Sequence, residues 1–298
     1  MKDVIPENEK ILYADAASNL FRRQTAFTKA GNESPAFDAI CLFEHVFHMN
    51  RQDLMLHGNT KQATLEQETE FFSLIEQREK KRPLQYILGE WPFLDFHLKM
   101  GEGVLIARED TTVLVETAAK LIQTKQAAIL DLCAGTGAVG LGIASLLSTV
   151  NVTCVEKYAP AFAYLQQNIA LCKEQGIENV VAVQGDILSE SFASAFQDID
   201  AIVSNPPYIE TAVLPTLQEE VQKEPTTALD GGEDGLLFYR AIADIWIPKI
   251  KTGGIVAVEI GEGQETAVAR LFADAGVEQI QFEKDSGNII RVVAGMKK

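Results

Sequence analysis

The chain predicts a doubly wound, mostly parallel α/β sheet of seven strands with a small helical domain before it. Three observations lead there. Five short runs, 127–132, 151–155, 180–184, 201–203 and 254–260, are largely apolar and separated by amphipathic stretches, as expected of strands buried on both faces under crossover helices. The first run leads into the glycines Gly135, Gly137 and Gly140, which open a helix. No strand-like alternation occurs before Arg82.

In chain order, Phe37, Ile40, Cys41 and Phe47, then Leu65, Phe72 and Ile75, recur at helical spacing, which predicts helices with these residues on the buried face. Thr64 with Gln67 reads as a capping box, and Lys80, Lys81 and Arg82 before Pro83 as a helix end. Cys41, His45 and His48 fall on one helical face but are read as packing, because a single helix lacks the second element that completes a metal cage. From Leu84 to Leu105 aromatic and alternating residues, punctuated by Gly89, Gly101 and Gly103, predict a hairpin-like connector. Leu114, Ala118, Leu121 and Ile122 make a helical stripe, and further helices are expected from near Ala138, Pro160 and Leu236. Residues 280–282 and 289–293 read as a closing antiparallel pair. The expected organisation is a helical domain over 1–83, a connector over 84–106 and the sheet domain over 107–298.

Composition bounds the function. With 47% hydrophobic residues the 298-residue chain can bury a sizeable core. Its 26 basic residues against 42 acidic ones give a net charge of −16, which opposes binding to a phosphate backbone. Cys41, Cys133, Cys154 and Cys172 show neither zinc-ribbon spacing nor a disulfide framework. No signal-peptide core or membrane-length apolar run is visible. A soluble cytoplasmic monomer without direct nucleic-acid or membrane contact is expected.

Gly135, Gly137 and Gly140 match the dinucleotide fingerprint G-x-G-x-x-G, and Glu156 ends the next strand at the spacing of a ribose-binding acid. Charge separates the candidate cofactors. Asp131, four residues before the first glycine, is expected to face the mouth of the site, where a pyrophosphate would be repelled. A ligand carrying an ammonium and a sulfonium gains from that carboxylate. Glu156 can accept ribose hydroxyls, and Asp186, after the third strand, can reach an adenine amino group. S-adenosylmethionine meets all three acids.

After the fourth strand comes Ser204, Asn205, Pro206, Pro207, Tyr208. Two prolines stop the ladder and leave backbone carbonyls without donors. Asn205 adds a side-chain oxygen and Tyr208 a flat ring, which together could grip a small planar group bearing an NH2. That group is either a carboxamide or the exocyclic amine of a flipped adenine or cytosine; the net charge disfavours the nucleic acid. A non-catalytic cofactor-binding interaction protein is the other alternative, against which the intact Asn205–Tyr208 motif speaks.

The chain resembles the release-factor glutamine N5-methyltransferases, the PrmC/HemK family. The likeness rests on the glycine turn and the Asn-Pro-Pro-Tyr motif, on Pro83, Tyr86, Ile87, Gly89 and Phe93, on Glu220, Val221, Glu224, Pro225, Ala228, Leu229, Asp230, Gly231, Gly232, Asp234 and Gly235, and on Glu259, Ile260 and Gly261. The resemblance implies a class I S-adenosylmethionine-dependent methyltransferase that modifies the glutamine of the Gly-Gly-Gln motif in class 1 peptide chain release factors. It further implies cofactor contacts from Asp131, Cys133, Ala134, Gly135, Thr136, Gly137, Glu156, Asp186, Ile187 and Asn205. Catalytic roles are implied for Asn205, Pro206 and Tyr208, with Pro207 joining them at the substrate, and no metal. Where the family shows Pro-Arg-Pro-Glu-Thr-Glu, this chain has Ala107, Arg108, Glu109, Asp110, Thr111, Thr112. Losing both prolines predicts a less pre-formed segment.

Overall fold

The structure, a computed structural model, describes residues 34–298. The chain divides into two compact units at Gly89/Glu90.

The described part of the first unit is helical: α1 (Pro35–Phe47), α2 (Arg51–His57), α3 (Leu65–Glu79) and α4 (Leu84–Leu88). Its core is Ala39, Leu42, Phe43, Val46, Phe47, Phe71 and Ile75, with the Phe47 and Phe71 rings 5.2 Å apart. The helical reading holds, but its phase differs: Phe37 is 51% and Leu65 67% exposed. The buried Asp38 accepts from Arg78 Nε at 2.7 Å, so this ion pair turns inward the face one position beyond Phe37. The capping box is present, with Thr64 Oγ1 accepting from Gln67 N and Gln67 Oε1 from Thr64 N. Cys41 and His45 lie within α1, whereas His48 caps its C-terminus in a left-handed conformation. The segment 84–88, expected to be part of a hairpin, is instead the short helix α4, ended by Gly89 at φ 76°.

The second unit opens with the hairpin β1 (Glu90–Phe93) and β2 (Phe96–Lys99), then α5 (Thr111–Leu121). There follow β3 (Ala128–Leu132), α6 (Ala138–Leu146), β4 (Asn151–Glu156), α7 (Ala159–Glu174), β5 (Val180–Gln184), α8 (Glu190–Ala193) and β6 (Ile199–Ser204). A long irregular stretch leads to α9 (Leu237–Ala241), then β7 (Ile250–Glu259), α10 (Glu265–Asp274), β8 (Val277–Lys284) and β9 (Ile290–Lys297). The sheet order is β5-β4-β3-β6-β7-β9-β8, with β9 the strand that runs antiparallel to its neighbours. β3 to β7 fall on the five apolar runs, and β8 and β9 on the antiparallel pair expected at 280–282 and 289–293, β8 being longer than expected. The central strands bury most of their residues, because helices cover both faces.

Chain order reverses at β3, which lies between β4 and β6. A crevice must therefore open at the carboxyl ends of these strands. Leu132 pairs in register with Ser204, and Ser204 donates its hydroxyl to the Leu132 carbonyl at 2.6 Å. The residues following each, Cys133 and Asn205, thus start the two loops that frame the crevice.

Candidate active site

A cavity of about 300 Å³ occupies that crevice. Its floor is the turn after β3. Cys133 has φ 59° and Gly135 φ 55°, so the chain reverses within a few residues and bare backbone is exposed. Asn168, fully buried on α7, donates to the Thr136 carbonyl at 2.9 Å and to the Lys99 carbonyl at 3.0 Å, and accepts from Lys99 N at 2.6 Å. One side chain thereby ties the glycine turn to the hairpin, and the strand of chain leaving the hairpin supplies Gly103, Val104 and Leu105 to the wall.

Of the residues expected at the cofactor, Cys133, Ala134, Gly135, Thr136, Glu156, Asp186, Ile187 and Asn205 line the cavity. Asp131 and Gly137 do not. Asp131 lies fully buried behind the turn, where Oδ2 accepts from Gly140 N at 2.9 Å. The expectation that its carboxylate faces the mouth is therefore corrected: a strand presents alternate residues to opposite faces, and Asp131 is on the α6 side. Burial pushes its pKa up to about 7, against the opposing pull of the Gly140 N–H and the Cys154 thiol. Its Oδ1 has no hydrogen-bond partner among the described residues. Gly137 turns the chain into α6 at φ 86°.

Glu156 lines the cavity while its oxygens accept from Gly135 N at 2.9 Å and Tyr158 N at 2.8 Å. Burial raises its pKa, and these N–H groups pull the other way. Each oxygen keeps a lone pair for another donor. Asp186 accepts from Leu188 N at 3.0 Å and pairs with Lys157 Nζ at 2.9 Å. Burial raises and the Lys157 contact lowers its pKa, the net direction being down.

Within the second motif Asn205 and Pro207 line the cavity, whereas Pro206 and Tyr208 stand off its wall. Asn205 Nδ2 donates to Thr111 Oγ1 at 3.2 Å. Tyr208 is held by its backbone, its carbonyl accepting from Gln264 Nε2 at 3.0 Å. Its ring lies so close to Gly261 that a Cβ there would come within 3.1 Å of Cδ2. Burial pushes the Tyr208 hydroxyl up to about 12. The irregular stretch from Glu224 packs on the same motif: Ile209 N donates to the Leu229 carbonyl and Gly231 N to the Ile209 carbonyl. Sequence reasoning missed Thr111, Asn168 and Gln264 as parts of this frame. Only Thr111 had a signal, being a position kept within the altered segment 107–112.

S-adenosylmethionine fits these residues. A Cβ on Gly135 would meet nothing nearer than Val104 Cγ2 at 3.9 Å, so the glycine leaves open a space that a ligand can take against bare backbone. Val104, Val155, Ile187, Leu188 and Phe238 supply apolar surface for a base, and the Glu156 carboxylate supplies acceptors for hydroxyls.

The sheet order, the glycine turn after its first parallel strand and the acid ending the next define a class I S-adenosylmethionine-dependent methyltransferase. The PrmC N-terminal domain model matches residues 22–89, and the model described as conserved hypothetical protein 95 matches 109–237. A release factor glutamine methyltransferase of Thermodesulfovibrio yellowstonii is 37% identical over 88% of this chain and 91% of its own length. One of Clostridium botulinum is 35% identical over 90% and 94%. Among solved structures, a protein-(glutamine-N5) methyltransferase (release factor-specific) from Alicyclobacillus acidocaldarius is 28% identical, with a TM-score of 0.41 over 67% of this chain and 99% of that one. The chain belongs to the release factor glutamine methyltransferase family.

Proposed function

We propose that this protein methylates the side-chain amide nitrogen of the glutamine in the Gly-Gly-Gln motif of class 1 peptide chain release factors. The observation that carries the reading is the placement of Asn205 on the wall of the same cavity as Gly135 and Glu156, one residue beyond the Ser204–Leu132 contact. An acceptor for an amide thus adjoins the surface suited to the methyl donor. The family supplies the protein substrate, and a narrow crevice suits a glutamine flanked by glycines.

S-adenosylmethionine bound there supplies a methyl group on a sulfonium, which leaves as a neutral thioether when the new N–C bond forms. The protein's task is the amide, whose lone pair is delocalised into its carbonyl. Asn205 Oδ1 and the Pro206 carbonyl each accept one N–H, which orients the nitrogen and favours its partly positive transition state. No described residue donates to the Pro206 carbonyl, so that acceptor is available. Tyr208, off the cavity wall, carries the backbone anchor that sets the motif in place. The excess proton leaves after transfer, because an N-alkylated amide cation is strongly acidic. The exposed His97 on β2 pairs in register with Pro92 and takes no step here.

The helical unit supplies surface for the rest of the factor, since a three-residue motif alone offers too little for specific recognition. The enzyme works as a cytoplasmic monomer without direct nucleic-acid contact. Methylation of a purified release factor followed by peptide mass spectrometry tests the reading. The expected product carries one methyl on the motif glutamine. A methyl elsewhere, or equal labelling of a Gln→Ala factor, overturns it.

A further inference from the structure

Glu259 ends β7 beside the Asn-Pro-Pro-Tyr motif, because Val258 pairs in register with Ser204 on β6. It is 3% exposed, it is absent from the cavity wall, and its Oε2 has no hydrogen-bond partner among the described residues. The side chains of Thr111 and Asn205 both face its carboxylate and favour the charged form. We propose that Glu259 is a positioning residue for methyl transfer: acting on Asn205 directly and through Thr111, it holds the Asn205 carboxamide with its NH2 turned into the protein and its Oδ1 turned to the substrate. The proposal rests on the reading of Asn205 as the acceptor for a glutamine amide.

The oxygen and the NH2 of a carboxamide are nearly the same size, so shape alone does not choose which one faces the cavity. The choice decides activity, since a flipped Asn205 would set a donor against the substrate's own N–H groups. An ionised carboxylate only accepts. With that acceptor beside it, the Thr111 hydroxyl can turn its hydrogen to Glu259, which leaves the Thr111 oxygen to accept. The 3.2 Å contact from Asn205 Nδ2 to Thr111 Oγ1 has that polarity. A buried carboxylate with an unpaired oxygen costs stability, and fixing the polarity of this relay is what that cost achieves. The charged and titratable groups facing Glu259 are Asp110, Arg291 on β9, Tyr208 and Tyr239 on α9. Burial, only partly offset by Thr111, Arg291 and Asn205, pushes the Glu259 pKa up to about 7. Acidification through neutrality therefore removes the acceptor that sets the relay.

The test combines kinetics and NMR on the full-length enzyme. Thr111→Val should lower kcat on release factor roughly tenfold to a hundredfold, with KM and the S-adenosylmethionine Kd little changed, and Thr111→Ser should recover most of the loss. Glu259→Gln should lower kcat about tenfold and flatten its pH profile around neutrality. In an Asn205→Ala background neither substitution should cost anything more, because both act through Asn205. The side-chain NH2 resonances of Asn205 should titrate near neutral pH in the wild type and lose that titration in Glu259→Gln. Additive losses, a matching fall in cofactor affinity, unchanged kcat, or Asn205 resonances that ignore Glu259 would each overturn the proposal. Should the wild type fail to methylate release factor, the substrate assignment falls, while the Asn205 resonances still decide the positioning role.

Discussion

The carboxylate of Glu224 accepts a hydrogen bond from the backbone N–H of Ile106 at 2.9 Å, joining residues 118 positions apart. Its other oxygen pairs with Arg108. Ile106 adjoins Ala107 on one wall of the cavity and Glu224 adjoins Pro225 on another, so one buried side chain fixes both. The segment 107–112, which lacks the prolines that would stiffen it, is held by this clamp instead. Burial raises the pKa of Glu224, and Arg108 pulls it back.

Glu224→Gln keeps the shape and removes the charge, so both walls should loosen. S-adenosylmethionine affinity is expected to fall roughly tenfold to a hundredfold, about the value of one charge-assisted hydrogen bond. Calorimetry measures it, and an unchanged Kd would mean that the walls are held by other contacts.

Asn205→Ala should leave cofactor affinity nearly intact and lower turnover by roughly a hundredfold or more, the usual cost of removing a polar group aimed at the transition state. Tyr208→Ala should act differently, because the tyrosine stands off the cavity wall and is anchored by its backbone to Gln264. Its loss should raise KM together with lowering kcat. Near-normal steady-state constants in both variants would reduce the motif to a turn.

Asp131 makes a stability prediction. Its folded pKa of about 7 lies above the ordinary carboxylate range because of burial, so the folded state binds a proton more tightly than the unfolded chain. The stability this contributes is complete below about pH 4 and is lost as pH rises through about 7. Asp131→Asn stays neutral and can still accept from Gly140 N. Relative to this variant, the wild type should lose stability between about pH 4 and 7, on the order of a few kcal/mol at about 1.4 kcal/mol per pKa unit. Denaturant midpoints across that range test it, and parallel curves would contradict it.

These residues also mark what the sequence could convey. The central strands were legible because each is a short apolar run between turn residues, and burial on both faces leaves no other use for such a run, whereas the largely exposed β8 was marked only at 280–282. Adjacency of Asn205 and the glycine turn followed from strand order. Side-chain direction did not. Asp131 and Glu156 both stand near strand ends, yet pleating sends the first behind the turn and the second to the cavity. The buried face of α1 escaped periodicity, because its position depends on the ion pair of Asp38 with Arg78, 40 residues away. Thr111, Asn168, Glu224 and Glu259 act through contacts as distant, and no local pattern encodes such partners.

Gly135 and Gly137 separate binding from folding within one turn. Both have positive φ, 55° and 86°, and alanine in a left-handed conformation costs about 1–2 kcal/mol. Beyond that shared cost they diverge. A Cβ at Gly137 would come within 2.7 Å of Leu165 Cδ1 and 3.2 Å of Leu141 Cδ1, both fully buried side chains, so it must displace the packing between α6 and α7. A Cβ at Gly135 would project into open space 3.9 Å from Val104, where the cofactor is to lie. Gly137→Ala is therefore expected to lower the melting temperature markedly. Gly135→Ala should lose only that shared cost of about 1–2 kcal/mol in the absence of ligand but bind S-adenosylmethionine at least about tenfold more weakly, the equivalent of about 1.4 kcal/mol. Thermal melts with and without S-adenosylmethionine read both effects. Full ligand-induced stabilisation in Gly135→Ala would place the methyl donor away from this turn.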